Sequence, residues 1–302
     1  MTEQFLTELE TIIEKDRIFE KEPMKKHTTF RVGGPADVLI QPRKEELPGV
    51  LELCRRQEVP FYVIGNGSNL LVGDKGIRGV VLEMSAGEEA VTVKGRVLRA
   101  AAGVMLSKAA NVAAAAGLTG MEFAAGIPGT VGGAVVMNAG AYGGEMKDIL
   151  VSVTVVDEHG TTKEVKTGDL ELGYRQSNVL KNHWIVTEAV FQLAEGEEAA
   201  IREKMNTLAE QRREKQPLQY PSAGSTFKRP EGYFAGKLIM DAGLRGYRAG
   251  GAQVSEKHCG FVINSGEATA SDIRRLMEEV IAEVERQFGV TLEPEVKMLG
   301  EF

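Results

Sequence analysis

The segment GIPGTVGGAVVMNAGAYGG, residues 126–144, holds seven glycines in nineteen residues and no charged side chain. Three structures tolerate so bare a chain: a membrane span, a buried structural turn, or a backbone surface that lies against a large ligand. About twenty apolar residues cross a bilayer, so length does not decide. Composition does: Pro128, Asn138 and the glycines would leave a lipid-facing helix weak and partly unsatisfied, and no Lys/Arg cluster or aromatic belt flanks the segment. The choice between turn and ligand surface depends on what stands on either side.

Immediately upstream, the alanine-rich run from Met105 to Ala116 reads as a helix with Gly117 at its left-handed stop. Downstream, ILVSVTVVDEHGTTKEV reads as two strands about a turn at 158–160, and WIVTEAVFQL as a further strand. Farther toward the N-terminus, Leu47, Val50, Leu51 and Cys54 mark a helix, followed by the strand FYVI and the turn GNGSN at 65–69, a β-α-β start. It is preceded by a short amphipathic helix on Phe5, Leu6, Leu9, Ile12 and Ile13 and by HTTFRVGGPADVLI, which passes from loop to strand. GVVLEM, AVTV and VLRAAA are short strand-like runs.

Near residue 195 the texture changes to EGEEAAIREKMNTLAEQRREKQP, a charged helix ended by Pro217. Beyond it lies a separate α+β unit. Its last helix has Thr269 and Asp272 at capping-box spacing, Ile273, Leu276, Val280, Ile281, Val284 and Phe288 on one face, and Gly289 as its stop; EPEVKML then forms a short strand. The expected organisation is α+β throughout: residues 1–195 in two lobes, about 1–85 and 86–195, and a C-terminal domain over 205–302.

With 302 residues, 43% hydrophobic and 26% charged, the chain suffices for two or three proper cores. A net charge of −7 without any dense Lys/Arg block argues against nucleic-acid binding. Cys54 and Cys259 make no disulfide framework and the N-terminus has no signal pattern, so a reducing cytoplasm is expected. Four scattered histidines form no metal-binding spacing, and no metal is expected.

Two nucleotide signatures can be tested directly. No GxxxxGK[ST] occurs, which excludes a P-loop. Gly65-Asn66-Gly67-Ser68-Asn69-Leu70 follows a strand as a Rossmann fingerprint would, but Leu70 stands where the third glycine belongs, and LLVGDKGIRGVV continues as extended chain instead of a helix. Backbone amides in tight turns still form anion nests without a Rossmann unit. GNGSN and GIPGTVGG both suit that task, with Ser68, Asn69, Thr130 and Asn138 as uncharged donors. Either loop alone is as readily a simple turn; together they point to a dinucleotide diphosphate.

At this point the residues carry a resemblance. HTTFRVGGPAD, GNGSNLL, EFAAGIPGTVGGAVVMNAGAYG, GYRQS, AGSTFKRP, AGKLIMDAGLRGYRAGGAQVSEKHCGFVIN and EPEVKMLG stand in the order found in the UDP-N-acetylenolpyruvoylglucosamine reductases of bacterial peptidoglycan synthesis, in the shorter type that lacks an inserted substrate loop. The resemblance implies an FAD-binding region of the vanillyl-alcohol-oxidase type followed by a substrate-binding domain. It implies noncovalent FAD, NADPH as the hydride donor, the enolpyruvyl ether of UDP-N-acetylglucosamine as substrate, and neither nucleic acid nor membrane as partner. FAD would then lie along Gly65 to Leu70 and along Gly126, Ile127, Pro128, Gly129, Thr130, Gly132, Gly133, Asn138, Ala139 and Gly140.

Reducing an enol ether requires stabilisation of negative charge beside the carboxylate and a proton for the neighbouring carbon. By resemblance, Arg175 of GYRQS is the carboxylate clamp, Ser225 of AGSTF donates the proton and Glu295 of EPEVK assists with the enolate. Taken alone, each has a plainer reading, as a surface ion pair, a turn residue and a surface acid. Tyr174, Arg229, Lys237 and Gln253 are the expected substrate contacts. Two rivals remain at this stage: another flavoenzyme of the same fold, and a non-catalytic sugar-nucleotide sensor. Flavin tethering through His or Cys has no candidate within Gly65–Asn69, and the sensor would need to have lost Arg175, Ser225 or Glu295.

Overall fold

The computed structural model describes residues 1–84 and 91–302. The lobe boundary expected near residue 85, and the first residue of AVTV, lie outside the described residues. The chain divides into two compact units, residues 1–20, 38–66 and 79–212 in the first and 21–37, 67–78 and 213–302 in the second.

The first unit contains a five-stranded antiparallel sheet in the order Thr162–Lys166, Leu150–Val156, Ile185–Gln192, Val97–Ala101, Val91–Lys94. The hairpin joining its first two strands turns where DEHG stands, because Asp157 Oδ1 accepts from the amides of His159 (3.0 Å) and Thr161 (2.9 Å). Val153, Val155, Ala189 and Phe191 from this sheet pack with Leu106, Ala109 and Ala113 of the helix Leu106–Ala115 and with Val131 and Val135 of the helix Val131–Val136. Alanine lets the longer helix sit close to its neighbours. The short one falls inside the glycine-rich segment, where sequence pattern indicates only loop. A second core in this unit joins Phe5, Leu9 and Ile13 to Leu47, Val50, Leu51 and Cys54 of the helix Leu47–Arg56 and to Val80 and Leu82. The neighbouring strands Phe61–Ile64 and Ile77–Glu83 run parallel, as a β-α-β start requires.

In the second unit, the antiparallel strands Arg248–Ala249, Ala252–Val254 and Val262–Asn264 pack against the helices Ala235–Asp241 and Ala270–Phe288. The long helix starts at a capping box, Asp272 N to Thr269 Oγ1 at 3.0 Å and Thr269 N to Asp272 Oδ2 at 3.2 Å. Asp74 adds two further acceptors, for the amides of Ala270 (2.8 Å) and Ser271 (2.9 Å). It ends at Gly289, φ +67°. Ile273, Leu276, Val280 and Val284 are fully buried, whereas Phe288, expected on the same face, is 39% exposed in the last turn.

The strand Lys297–Leu299 pairs in parallel with Leu70–Val72, and Gly73 N, Lys75 N and Glu301 N continue the ladder to Leu299 O, Glu301 O and Gly76 O. Gly34 N reaches Gly73 O at 2.9 Å. These bonds gather 21–37 and 67–78 with the C-terminal third. Sequence texture sets one boundary near 195, but the helix Glu198–Lys215 belongs largely to the first unit, where Ile201 is buried and Met205 packs on the main core. Its charge marks an exposed helix and not a linker.

Candidate functional site

In the first unit the two glycine loops meet. Asn66 Nδ2 donates to Pro128 O at 2.7 Å, and a Cβ placed on Gly65 would lie 2.2 Å from Thr130 Oγ1. The second loop is clamped from behind by Leu106 N to Gly129 O (2.9 Å), Val131 N to Val104 O (2.8 Å) and Gly132 N to Ala102 O (2.8 Å). Thr130, buried, caps the helix Val131–Val136 by accepting from Gly133 N at 3.4 Å. The amides of Gly65, Asn66, Gly129 and Thr130 donate to no acceptor among the described residues. That leaves two facing turns with open donors, the chemistry of an anion nest.

The glycines do different things. Gly132 carries no room for a side chain, since a Cβ there would stand 2.8 Å from Ala102 Cβ; it is a packing residue. Gly133 is exposed, with only Thr130 Oγ1 at 3.4 Å from that position. Gly126 and Pro128 are also exposed, Ile127 is half-buried, and the side chain of Arg212 lies 3.4 Å from where a Gly126 Cβ would be. Burial pushes the Arg212 pKa down from its ordinary value. Nothing in the charged run around Arg212 distinguishes it from its neighbours, and sequence reasoning missed it.

Past the helix Val131–Val136, Asn138 is fully buried with φ +39°. Its Nδ2 donates to Gly173 O (3.0 Å) and Glu145 Oε2 (2.8 Å), and its Oδ1 accepts from Lys147 N (2.9 Å). Read from sequence as a cofactor donor, its side chain is instead committed to protein partners. Gly140–Ala141 and Gly144–Glu145 form a small hairpin, with Ala139 O accepting from Met146 N at its base. Gly173 and Gln176 close a tight turn that carries Tyr174, 49% exposed, and Arg175, φ +56°, at its tip. The Arg175 guanidinium donates to Gly140 O at 3.2 Å and lies 5.1 Å from the Tyr174 ring. Glu145 is held below the ordinary carboxylate range, first by Lys147 and then by Asn138, with Arg175 adding its field. A lone acid after a glycine run was the only signal for Glu145, and it was not taken up.

In the second unit, Ser225 follows Gly224 (φ +74°) and is exposed. Its neighbour Thr226 is fully buried and pinned on three sides: Thr226 N to Gly260 O (2.8 Å), Val262 N to Thr226 Oγ1 (2.8 Å) and Glu295 N to Thr226 O (2.8 Å). Phe227 and Pro294 pair beside it. Ser225 and Glu295 are therefore placed at one end of a short backbone bridge between two loop segments, although 70 residues of sequence separate them. Asn69 braces the C-terminal segment of that bridge, its Nδ2 donating to Glu295 O (3.1 Å) and its carbonyl accepting from Lys297 N (2.9 Å). Gly67 abuts His27 O, Ser68 is half-buried, and Leu70 sits in the strand paired with Lys297.

The expected substrate contacts differ in availability. Arg229 is exposed and stacks on Phe234 with its Cζ 3.9 Å from the ring centroid. Lys237 is exposed and pairs with Asp241 at 2.7 Å. Gln253 is only 7% exposed, with Nε2 on Gly246 O (3.2 Å) and Oε1 taking Arg248 Nη2 (3.0 Å), which makes it a clasp of the 246–253 turn. His258 accepts from Gly260 N on Nδ1 at 3.1 Å, and burial depresses its pKa. Cys259 is buried and its thiol pKa is raised by that burial, as suits a structural cysteine.

Residues 36–166 match the model of the FAD binding domain, and residues 216–299 match that of the UDP-N-acetylenolpyruvoylglucosamine reductase C-terminal domain. The chain is 54% identical over 297 residues to UDP-N-acetylenolpyruvoylglucosamine reductase of Agathobacter rectalis, covering 94% of this chain and 95% of that protein. It is 52% identical over 306 residues to the reductase of the same name from Lachnoclostridium phytofermentans, covering 100% and 99%. This chain belongs to the UDP-N-acetylenolpyruvoylglucosamine reductase family.

A crystal structure of the family's Thermus caldophilus reductase matches with a TM-score of 0.79 and 38% identity over 94% of this chain and 99% of that one. The fold, over 65% of this chain, is shared with alkyldihydroxyacetonephosphate synthase at a TM-score of 0.50 and 18% identity. Both glycine loops lie within the matched FAD binding domain, and Ser225 and Glu295 within the matched reductase domain. The loops fit the diphosphate of such a dinucleotide: Gly65 lets the two turns approach each other where a Cβ would strike Thr130 Oγ1, and the open amides supply donors without charge.

Proposed function

We propose that this protein reduces UDP-N-acetylenolpyruvoylglucosamine to UDP-N-acetylmuramate, using NADPH through noncovalent FAD, as a step in making peptidoglycan precursors. The observation that carries the proposal is the 54% identity to a reductase of that name across 94% of the chain. The protein is then an FAD-dependent oxidoreductase. Among the described residues no helix is long and apolar enough to cross a membrane. Its proposed location is the cytoplasm, where its product would feed growth of the cell wall and so cell shape and division.

FAD, held by the amides of the 65–66 and 129–130 turns, would supply the two-electron chemistry that links NADPH oxidation to hydride delivery at the CH₂ carbon of the enolpyruvyl ether. The chain's residues do the rest. Amides of the 65–66 and 129–130 turns hold the diphosphate. The planar guanidinium of Arg175 takes the two oxygens of the substrate carboxylate, where negative charge gathers as the CH₂ becomes CH₃. Ser225 gives its proton to the adjacent carbon, which completes the lactyl ether. Serine is a weak acid in water, so its hydroxyl acts only in a positive field or with a proton resupplied by another group. Glu295, held by backbone bonds to Thr226 and Asn69, assists with the enolate. Arg229, Lys237 and Tyr174 are proposed as contacts to the UDP-sugar, and Gln253 as the clasp of the 246–253 turn.

Rapid mixing separates the two half-reactions. Ser225→Ala and Glu295→Ala are expected to bleach the flavin with NADPH near the wild-type rate, and to reoxidise with the enolpyruvyl substrate about a hundredfold or more slowly, the scale of a lost positioned acid or electrostatic group. Arg175→Lys should be slow in the same half only. Reoxidation of Ser225→Ala at the wild-type rate would make the serine a turn residue.

A further inference from the structure

We propose that Asn138 is the positioning residue that holds Arg175 in its working conformation, through the base of the Gly173–Gln176 turn and through the Gly140–Glu145 hairpin. The inference rests on reading Arg175 as the carboxylate clamp. A non-glycine residue at φ +56° does not keep that backbone by its own preference, so the surroundings must impose it. Asn138 reaches two segments that bear on Arg175 with its two N–H groups. One bonds Gly173 O at 3.0 Å, at the base of the turn whose tip is Arg175. The other bonds Glu145 Oε2 at 2.8 Å, and Glu145 stands opposite Gly140, whose carbonyl receives the Arg175 guanidinium at 3.2 Å.

The third bond, from Lys147 N to Oδ1 at 2.9 Å, fixes the plane of the amide and so aims both donors. No other side chain meets all these demands. Asn tolerates φ +39° and offers two donors and an acceptor at short reach. Asp keeps the acceptor but loses both donors and sets a second carboxylate against Glu145. Gly keeps the backbone and loses the amide. The burial of Asn138 is complete, so its side chain serves the turn and not a bound ligand.

The test uses the flavin-loaded protein with Asn138→Gly, Asn138→Asp, Arg175→Ala and the double variant Asn138→Gly/Arg175→Ala. Flavin content is measured first, then the Kd of the oxidised protein for UDP-N-acetylenolpyruvoylglucosamine by calorimetry, then flavin bleaching by NADPH. Asn138→Gly should keep its flavin, bleach within about twofold of wild type and bind substrate about tenfold more weakly, while adding less than about twofold to the Kd of Arg175→Ala, as residues acting through one another do. Wild-type affinity in Asn138→Gly, or a penalty that simply adds to that of Arg175→Ala, would overturn the proposal. If Asn138→Gly loses flavin, Asn138→Asp is read in its place; loss in both makes Asn138 a residue of the cofactor fold and also overturns it. An unchanged Kd and an unchanged rate of reoxidation in Arg175→Ala would instead remove the clamp on which the proposal stands.

Discussion

A single methyl group distinguishes the glycines of residues 126–144 and of the 65–66 turn. On Gly65 it would strike Thr130 Oγ1 at 2.2 Å, where the two loops touch; on Gly132 it would meet Ala102 Cβ at 2.8 Å, inside the fold; on Gly133 it would stand at the surface. Gly132→Val is therefore expected to lower the thermal stability of the apoprotein, whereas Gly133→Val should leave apoprotein stability near wild type and reduce flavin content. Full flavin occupancy in Gly133→Val would remove that glycine from the cofactor surface. Sequence reasoning reads the segment as a ligand wall and treats its polar residues alike. Asn138 and Gln253 carry donors that a ligand would use, and only the fold shows those donors spent on Gly173, Glu145 and Gly246. A side chain's type is legible in a sequence; the partner it has already found is not.

At the scale of elements, the last helix was readable because its capping box, apolar spacing and Gly289 all agree. Val131–Val136 was not, because glycine and β-branched residues are poor helix formers and the helix is set by Thr130 and by burial of Val131 and Val135. The turn at 255–261 shows how an element's environment sets chemistry. Burial lowers the pKa of His258 below its ordinary 6.5, and Gly260 N donates to its Nδ1, so folding favours the neutral ring. The unfolded chain takes up a proton at a higher pH than the folded one. The stability His258 contributes is thus fully present above about 6.5 and is lost as pH falls through the folded pKa. Urea midpoints measured from roughly pH 7.5 to 5.5 should fall more steeply for wild type than for His258→Asn, which retains an acceptor near Nδ1. Equal slopes would show that the ring does not titrate between the two states.

Over the whole molecule, the discontinuity of the second unit could not be read from periodicity. Leu70–Val72 joins the C-terminal third through strand pairing across more than 200 residues, residues 21–37 join through Gly34 N to Gly73 O, and local pattern carries no record of such partners. The ordered motifs fared better, because each carries a local turn chemistry that survives in one dimension: GNGSN, GYRQS and AGSTF appear as bends, turns or bridges, and GIPGTVGG turns before it enters the helix Val131–Val136. The central claim, an FAD-dependent reduction of an enolpyruvyl UDP-sugar by NADPH, is tested most directly by anaerobic absorption spectroscopy of the purified protein. The account predicts an oxidised-flavin spectrum that bleaches on adding NADPH and returns, with one equivalent of substrate consumed per flavin, on adding UDP-N-acetylenolpyruvoylglucosamine, and predicts that acid precipitation releases all the flavin. A protein that binds no flavin, or a bleached flavin that the enolpyruvyl substrate fails to reoxidise, would contradict it.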